Sequence, residues 1–268
     1  MNLEPVNKLS RDIAAAATTL SVDEARFLVD TFYSMQEARI RARQQEKSLM
    51  KNGEPHAVVG WLSDQSETFE KQILRALDKF SMSMELGQWA RSICGIGPVI
   101  AAGLLAHIDI AKARSAGQIW RFAGLDPTVE WNRGQKRPHN AALKSLCWKL
   151  GESFVKHSTK ERDIYGKVYR QRKEYETAKN ESGAYADQAR QILEKKNFGK
   201  ETEAYKHYSQ GRLPPAQIYA RARRYAVKLF LSHYWETGYK ILHGTEPPNP
   251  YPIQYLGHVH KVEPTRVE

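Results

Sequence analysis

The chain has 268 residues, enough for one large domain or two small ones, each with a proper core. Its 41 Lys and Arg against 30 Asp and Glu give a formal charge of +11, a balance that favours a polyanionic partner because each cation set against a phosphate releases counterions. Two cysteines, Cys94 and Cys147, exclude a disulfide framework, and the lack of an apolar run of membrane length or an N-terminal apolar core points to a cytoplasmic protein with no membrane partner.

The first twenty residues carry little pattern and are expected to be loosely ordered. Ser21 followed by Glu24 is a capping box that opens a helix, with Ala25, Leu28, Phe32 and Met35 at helical spacing and Asn52-Gly53 as its stop. After Pro55 a second helix begins, where Phe69, Ile73, Leu77, Phe80 and Met84 form a coiled-coil-like seam. A short Gly-Pro loop between two long helices predicts antiparallel packing.

From Leu86 to about Val129 the sequence is compact and rich in glycine. A helix is expected over Asn140–Lys156, with Leu143, Leu146, Cys147 and Leu150 on one face. Asp163–Glu176 and Tyr185–Lys196 read as polar helices lying on the surface, with local disorder as the alternative. Pro214-Pro215 opens a last long helix ending at Gly244, with Ile218, Ala222, Tyr225, Leu229 and Tyr234 or Trp235 facing inward. The proline-rich tail from Thr245 cannot continue a helix.

No βαβ alternation is present, and Thr128–Arg137 is the one candidate for a short β-hairpin. The expected fold is therefore all-α: an antiparallel long-helix hairpin (residues 1–88), a helical core (89–160), a polar helical segment (161–212), and a closing helix with an extended tail (213–268).

Within the core, Arg91–Ile108 has the form of a helix-hairpin-helix: apolar-x-Gly-apolar-Gly, then a helix of small residues. Gly95 and Gly97 allow a tight turn and close approach of another surface. Pro98 suits the first helical turn, where its missing N–H costs nothing. The N–H groups of Gly97, Val99 and Ile100 then point outward, where the helix dipole favours an anion such as a nucleic-acid phosphate. A turn that only packs two helices is the alternative.

Three segments, CGIGPVIAAGLLAHIDI at Cys94–Ile110, AGQIWRFAGLDP at Ala116–Pro127 and HNAALKSLCWKLGESF at His139–Phe154, resemble the C-terminal transposase domain of the insertion-sequence one-ten family, the DEDD-type, bridge-RNA-guided recombinases. The likeness extends over roughly Gln65 to Pro247, including the last helix. In that family a RuvC-like domain presenting Asp and Glu ligands for magnesium precedes the coiled coil; here about sixty residues precede the matching segment and read as helix. The family also carries a nucleophilic serine in a Ser-Gly pair shortly after the GLDP-like turn. The matching stretch, Asp126–Gly134, has Arg133 at the expected place; Thr128 and Ser145 are misplaced for that role.

The resemblance and the residues together imply a DNA-binding protein without its own catalytic residues, metal or cofactor. Two alternatives stand beside it: an active recombinase completed by a separate RuvC-like subunit and a guide RNA, and a helical protein-interaction module. The expected nucleic-acid-binding residues are Gly95, Ile96, Gly97, Pro98, Val99 and Ile100 at the bend, with Arg114 and Lys144. A cationic loop of Arg133, Lys136 and Arg137 and a stripe of Arg221, Arg224 and Lys228 on the last helix complete the set. The expected partners are duplex or branched DNA, with RNA as a second candidate, and a second copy of the chain through the N-terminal helices. His258 and His260 lack further ligands at metal-binding spacing, and Trp120, Trp131 and Trp148 read as packing residues.

Overall fold

A computed structural model describes residues 10–53, 57–249 and 262–264. These contain eleven α-helices and no strand, so the all-α expectation holds. Ser10 accepts a hydrogen bond from Ile13 N–H and opens α1 (Arg11–Ala16), and a 3-10 turn at Ala17–Thr19 follows, so this stretch is more ordered than its sequence suggests. At Ser21 both halves of the capping box form: its N–H donates to Glu24 Oε2 at 2.7 Å, and Glu24 N–H donates back to Ser21 Oγ at 3.3 Å. The Ser21 N–H and the Ser21 hydroxyl, both donating to Glu24 Oε2, hold the Glu24 carboxyl below its ordinary range.

Helices α2 (Val22–Lys51) and α3 (Ala57–Met82) pack antiparallel, as their ion pairs record: Arg39 Nε meets Glu70 at 2.5 Å, and Arg43 pairs with Glu67. The seam is shorter than its spacing predicts. Leu77 and Phe80 are buried with Ala25, Val29 and Phe32, whereas Phe69 is 46% exposed and Met84 lies past the end of α3. The cause is a third helix, α5 (Pro98–His107), whose Val99, Ala102 and Ala106 join the cluster around Leu77 and Phe80 and leave Phe69 outside it.

Between α3 and α5 lies α4 (Glu85–Ser92). A Cβ on Gly87 would stand 1.9 Å from the Ser81 carbonyl oxygen, so the close turn from α3 into α4 admits only glycine. Small residues also let α5 occupy the centre: Ala102 and Ala106 face the long hairpin, while Ala101 and Leu104 join the main core, and a Cβ on Gly103 would meet Leu146 at 2.7 Å.

The main core is completed by α6 (Ala116–Phe122), α7 (Ala141–His157), α8 (Ile164–Glu181) and α11 (Pro215–His243). Asn140 caps α7 through its side chain, and Leu143, Leu146, Cys147 and Leu150 are buried as expected. Burial pushes the Cys147 thiol up to about 12. Helix α8 departs from its reading as a surface element: Tyr165, Tyr169, Glu176 and Asn180 are buried against α11. Its polar composition hid this because the buried polar groups are partnered, Asn180 exchanging two hydrogen bonds with the backbone of Leu213.

A satellite cluster under α9 (Ala186–Lys195) and α10 (Glu203–Ser209) gathers Ala189, Tyr208, Leu213 and Ile218. On α11 the buried face is Ile218, Ala222, Ala226, Val227, Phe230, Leu231, Tyr234 and Trp235. Tyr225 is exposed and Leu229 only partly buried; where α8 meets Tyr225 it presents the Arg172 guanidinium, 4.4 Å from the ring.

The expected hairpin at Thr128–Arg137 is a run of turns. Its side chains are nearly all exposed, and no second layer offers a strand face anything to bury; Trp131 Nε1 instead donates to the Gln135 carbonyl at 2.9 Å. No helix among the described residues is long and apolar enough to cross a membrane. His258 and His260 lie outside the described residues.

Candidate nucleic-acid interface

α4 and α5 are joined by a tight bend at Ile93–Gly97, and its two glycines do different work. Gly95 has φ +92°, a left-handed conformation that favours glycine, and a Cβ there would press on Ser153 Oγ at 3.2 Å and His157 Nδ1 at 3.3 Å. Gly97 has φ −89° and ψ 177°, extended backbone open to any residue, and a Cβ there would approach only Arg91 Nη1, at 4.0 Å. Gly97 therefore keeps the surface low; it does not make the turn.

Pro98 occupies the first position of α5, and no side chain caps the helix. The first bond of the helical ladder runs from Ala101 N–H to the Gly97 carbonyl at 3.0 Å, which leaves the N–H groups of Val99 and Ile100 ahead of it. The bend stands at the mouth of a cleft of about 620 Å³ that all of Arg91–Ile100 line. The side chains of Ile96 and Val99 turn into the core, so these residues offer the cleft their backbone.

Around the bend stand basic side chains that no local motif announced. Arg91, from α4, pairs with Asp78 at 2.8 Å. His157, Lys160 and Arg162 come from the end of α7 and the turn into α8, sixty residues further along the chain, and line the same cleft. Ser153 Oγ donates to the Gly95 carbonyl at 2.5 Å, and His157 Nδ1 lies 2.8 Å from the Ser153 carbonyl. A carbonyl only accepts, so Nδ1 carries the proton and Nε2 is left for another partner. α7 thus clamps the bend, and the turn that follows it brings Lys160 and Arg162 to the cleft.

The other predicted residues fall elsewhere. Arg114 is exposed in the loop after α5, at the opposite end of that helix from the bend. Arg133, Lys136 and Arg137 are exposed on the turns before α7. Lys144 stands in the first half of α7 beside Gly124, whose Cβ would meet Lys144 Cδ at 3.0 Å. Arg221, Arg224 and Lys228 border a smaller cleft with Gly124, Asp126, Arg172 and Glu176. They do not form one free stripe: Arg221 is bound to the buried Glu176 at 2.9 Å, while Lys228 lies over the Trp120 ring at 4.1 Å.

Two tryptophans differ from their reading as packing residues. Trp148 is 56% exposed on the outer face of α7, with the Arg223 guanidinium 5.4 Å from its ring, and Trp131 is exposed on the loop. Thr128 Oγ1 donates to Asp126 at 2.7 Å, which ties that hydroxyl into the turn.

Residues 87–164 match the sequence model of the Transposase IS116/IS110/IS902 family, a segment running from within α4 to the first residue of α8. It contains the bend, the turns before α7 and all of α7, and spans under a third of the chain. No curated protein and no solved structure matches the chain. The matched segment is transposase-related, and it is the segment that builds the cleft around Gly95–Ile100 apart from the walls given by α2 and α3.

Proposed function

We propose that the protein binds nucleic acid, DNA foremost, by seating a backbone phosphate on the N–H groups at Gly97, Val99 and Ile100, and that it does so without catalysing strand cleavage itself. The observation that carries this reading is the coincidence at one bend of uncapped helix N–H groups with Arg91, His157, Lys160 and Arg162 around one cleft. Helix-terminal N–H groups and the helix dipole favour an anion, and the cations add charge without reading bases. Arg133 at the place of the family's serine supports a binding role over a nucleophilic one, since a guanidinium cannot attack phosphorus.

The test is Gly97→Asp. Its backbone conformation accepts the side chain and only Arg91 stands near, so the fold should hold while a carboxylate enters the anion seat. Expected is a loss of duplex and four-way-junction binding of about tenfold or more in a mobility-shift assay, with a shallower salt dependence. An unchanged affinity would refute the reading.

The long hairpin supports association of two copies. Leu62 and Phe69 stand exposed seven residues apart on α3, with Trp61 beside Leu62, a heptad-spaced pair of apolar side chains on the outer face of the hairpin. Leu62→Glu should shift the chain from dimer to monomer in sedimentation equilibrium; a wild-type monomer at high micromolar concentration would remove the proposal.

A further inference from the structure

The smaller cleft, walled by the Gly124–Pro127 turn, α8 and α11, holds a charge arrangement that the hairpin bend does not explain. Its volume is about 270 Å³, below the roughly 300–1,000 Å³ of pockets for whole small molecules, so it suits a single charged group. Four cations border it from two elements: Arg172 on α8, and Arg221, Arg224 and Lys228 on α11, the last two one turn apart. Two carboxylates are present and both are already engaged. Glu176 is held by Arg172 at 2.6 Å and Arg221 at 2.9 Å, and Asp126 accepts from Thr128 N–H at 2.9 Å and from its hydroxyl at 2.7 Å.

Arg224 and Lys228 thus face the cleft with no carboxylate in ion-pair range, Lys228 having only the face of Trp120. Burial first pushes both below their ordinary values; for Lys228 the Asp126 carboxylate offsets part of this before the neighbouring guanidinium groups add to it, and for Arg224 those groups add to it and Glu176 offsets a part. Positive charge is concentrated here against its own repulsion, and the positions are fixed. Trp120 Nε1 donates to the Lys228 carbonyl at 2.9 Å, and Arg172 lies over the Tyr225 ring at 4.4 Å.

The geometry points to a second phosphate-ester site, formed by Arg172, Arg224 and Lys228 and separate from the hairpin bend. Donors carried on two helices around one cleft match a tetrahedral oxyanion, and Glu176, bound to Arg172 and Arg221, leaves Arg224 and Lys228 without an ion pair. The inference deepens the nucleic-acid reading and takes its ligand class from it. The ester is either the terminal phosphate of a strand or an internal diester.

The experiment compares wild type, Gly97→Asp and the double variant Arg224→Gln/Lys228→Gln. Each is titrated with a 5′-phosphorylated and a 5′-hydroxyl single strand of one length at two salt concentrations, and with inorganic pyrophosphate followed by thermal melting. The double variant is expected to lose about tenfold in strand affinity and about two units of salt slope, and to lose the stabilisation by pyrophosphate. A loss confined to the 5′-phosphorylated strand assigns the site to strand ends; an equal loss with both assigns it to internal diesters. A double variant that melts as wild type does and keeps its affinity, salt slope and pyrophosphate stabilisation overturns the second site and leaves the hairpin reading standing. The expected losses in the double variant with Gly97→Asp indistinguishable from wild type would overturn the hairpin reading and leave the second site.

Discussion

Phe230→Ala is expected to lower stability by about 4 kcal/mol, the range for emptying a fully buried phenylalanine site. Phe230 on α11 is wholly buried, and its ring centroid lies 5.8 Å from Trp89, 5.7 Å from Phe154, 5.3 Å from Tyr165 and 6.0 Å from Tyr234. Those neighbours belong to α4, α7, α8 and α11, so one ring joins the first hairpin helix to the helix that clamps the bend. Rings fixed in edge and stacked arrangements cannot all collapse into the space, and the cavity term adds to the lost transfer energy. In urea titration the midpoint should fall with little change in slope, and the melting temperature should drop by about 10 °C. A loss below about 1 kcal/mol would mean that α4 and α7 are not joined through this ring.

The second large effect belongs to Glu176, 1% exposed inside α8 and held by Arg172, Arg221 and the Tyr185 hydroxyl. Burial raises its pKa, but the hydrogen bonds from Tyr185, Arg172 and Arg221 outweigh it and leave the carboxyl below the usual 4.5. Glu176→Gln keeps the shape and removes the charge, leaving two half-buried arginines uncompensated, which is expected to cost about 3 kcal/mol at pH 7. Because the folded-state value lies below the unfolded one, this stabilisation is present above the ordinary carboxylate range and is lost as pH falls through the folded value. The gap between wild type and variant should therefore close as the medium is acidified below about pH 4.5. A gap that stays constant with pH would show that packing, not charge, is what the residue contributes.

Local chemistry in the sequence marks most of the helix ends. The Ser21–Glu24 box, the Asn140 cap, Pro98 and Pro215 at first helical positions and Gly244 as terminator all act where their residue types predict. Faces are harder to read than ends. Helix α8 looks solvated because Glu176 and Asn180 are polar, yet both are buried with partners forty-five and thirty-three positions away, Arg221 and Leu213. Phe69 and Tyr225 sit at regular helical spacing, but whether they are buried depends on where α5 packs and on what α8 presents, which at Tyr225 is Arg172. The candidate site divides in the same way. The bend is a short-range pattern and legible, while His157, Lys160 and Arg162 reach it only through the crossing of α7 over Gly95. Trp148 carries no sequence signal that separates an exposed ring from a packed one.

One consequence follows from α7 being a single unbroken helix. Lys144 stands beside Gly124 and His157 beside the bend, thirteen residues apart, so at 1.5 Å per residue α7 holds the backbones of these two basic residues about 20 Å from each other. A rigid strut of that length acts as a gauge. Along one strand spaced at about 3.4 Å per nucleotide it spans some six phosphates, so, if the proposed nucleic-acid binding holds, a strand that engages both residues is selected by the span it presents, and one too short to bridge them can meet only one.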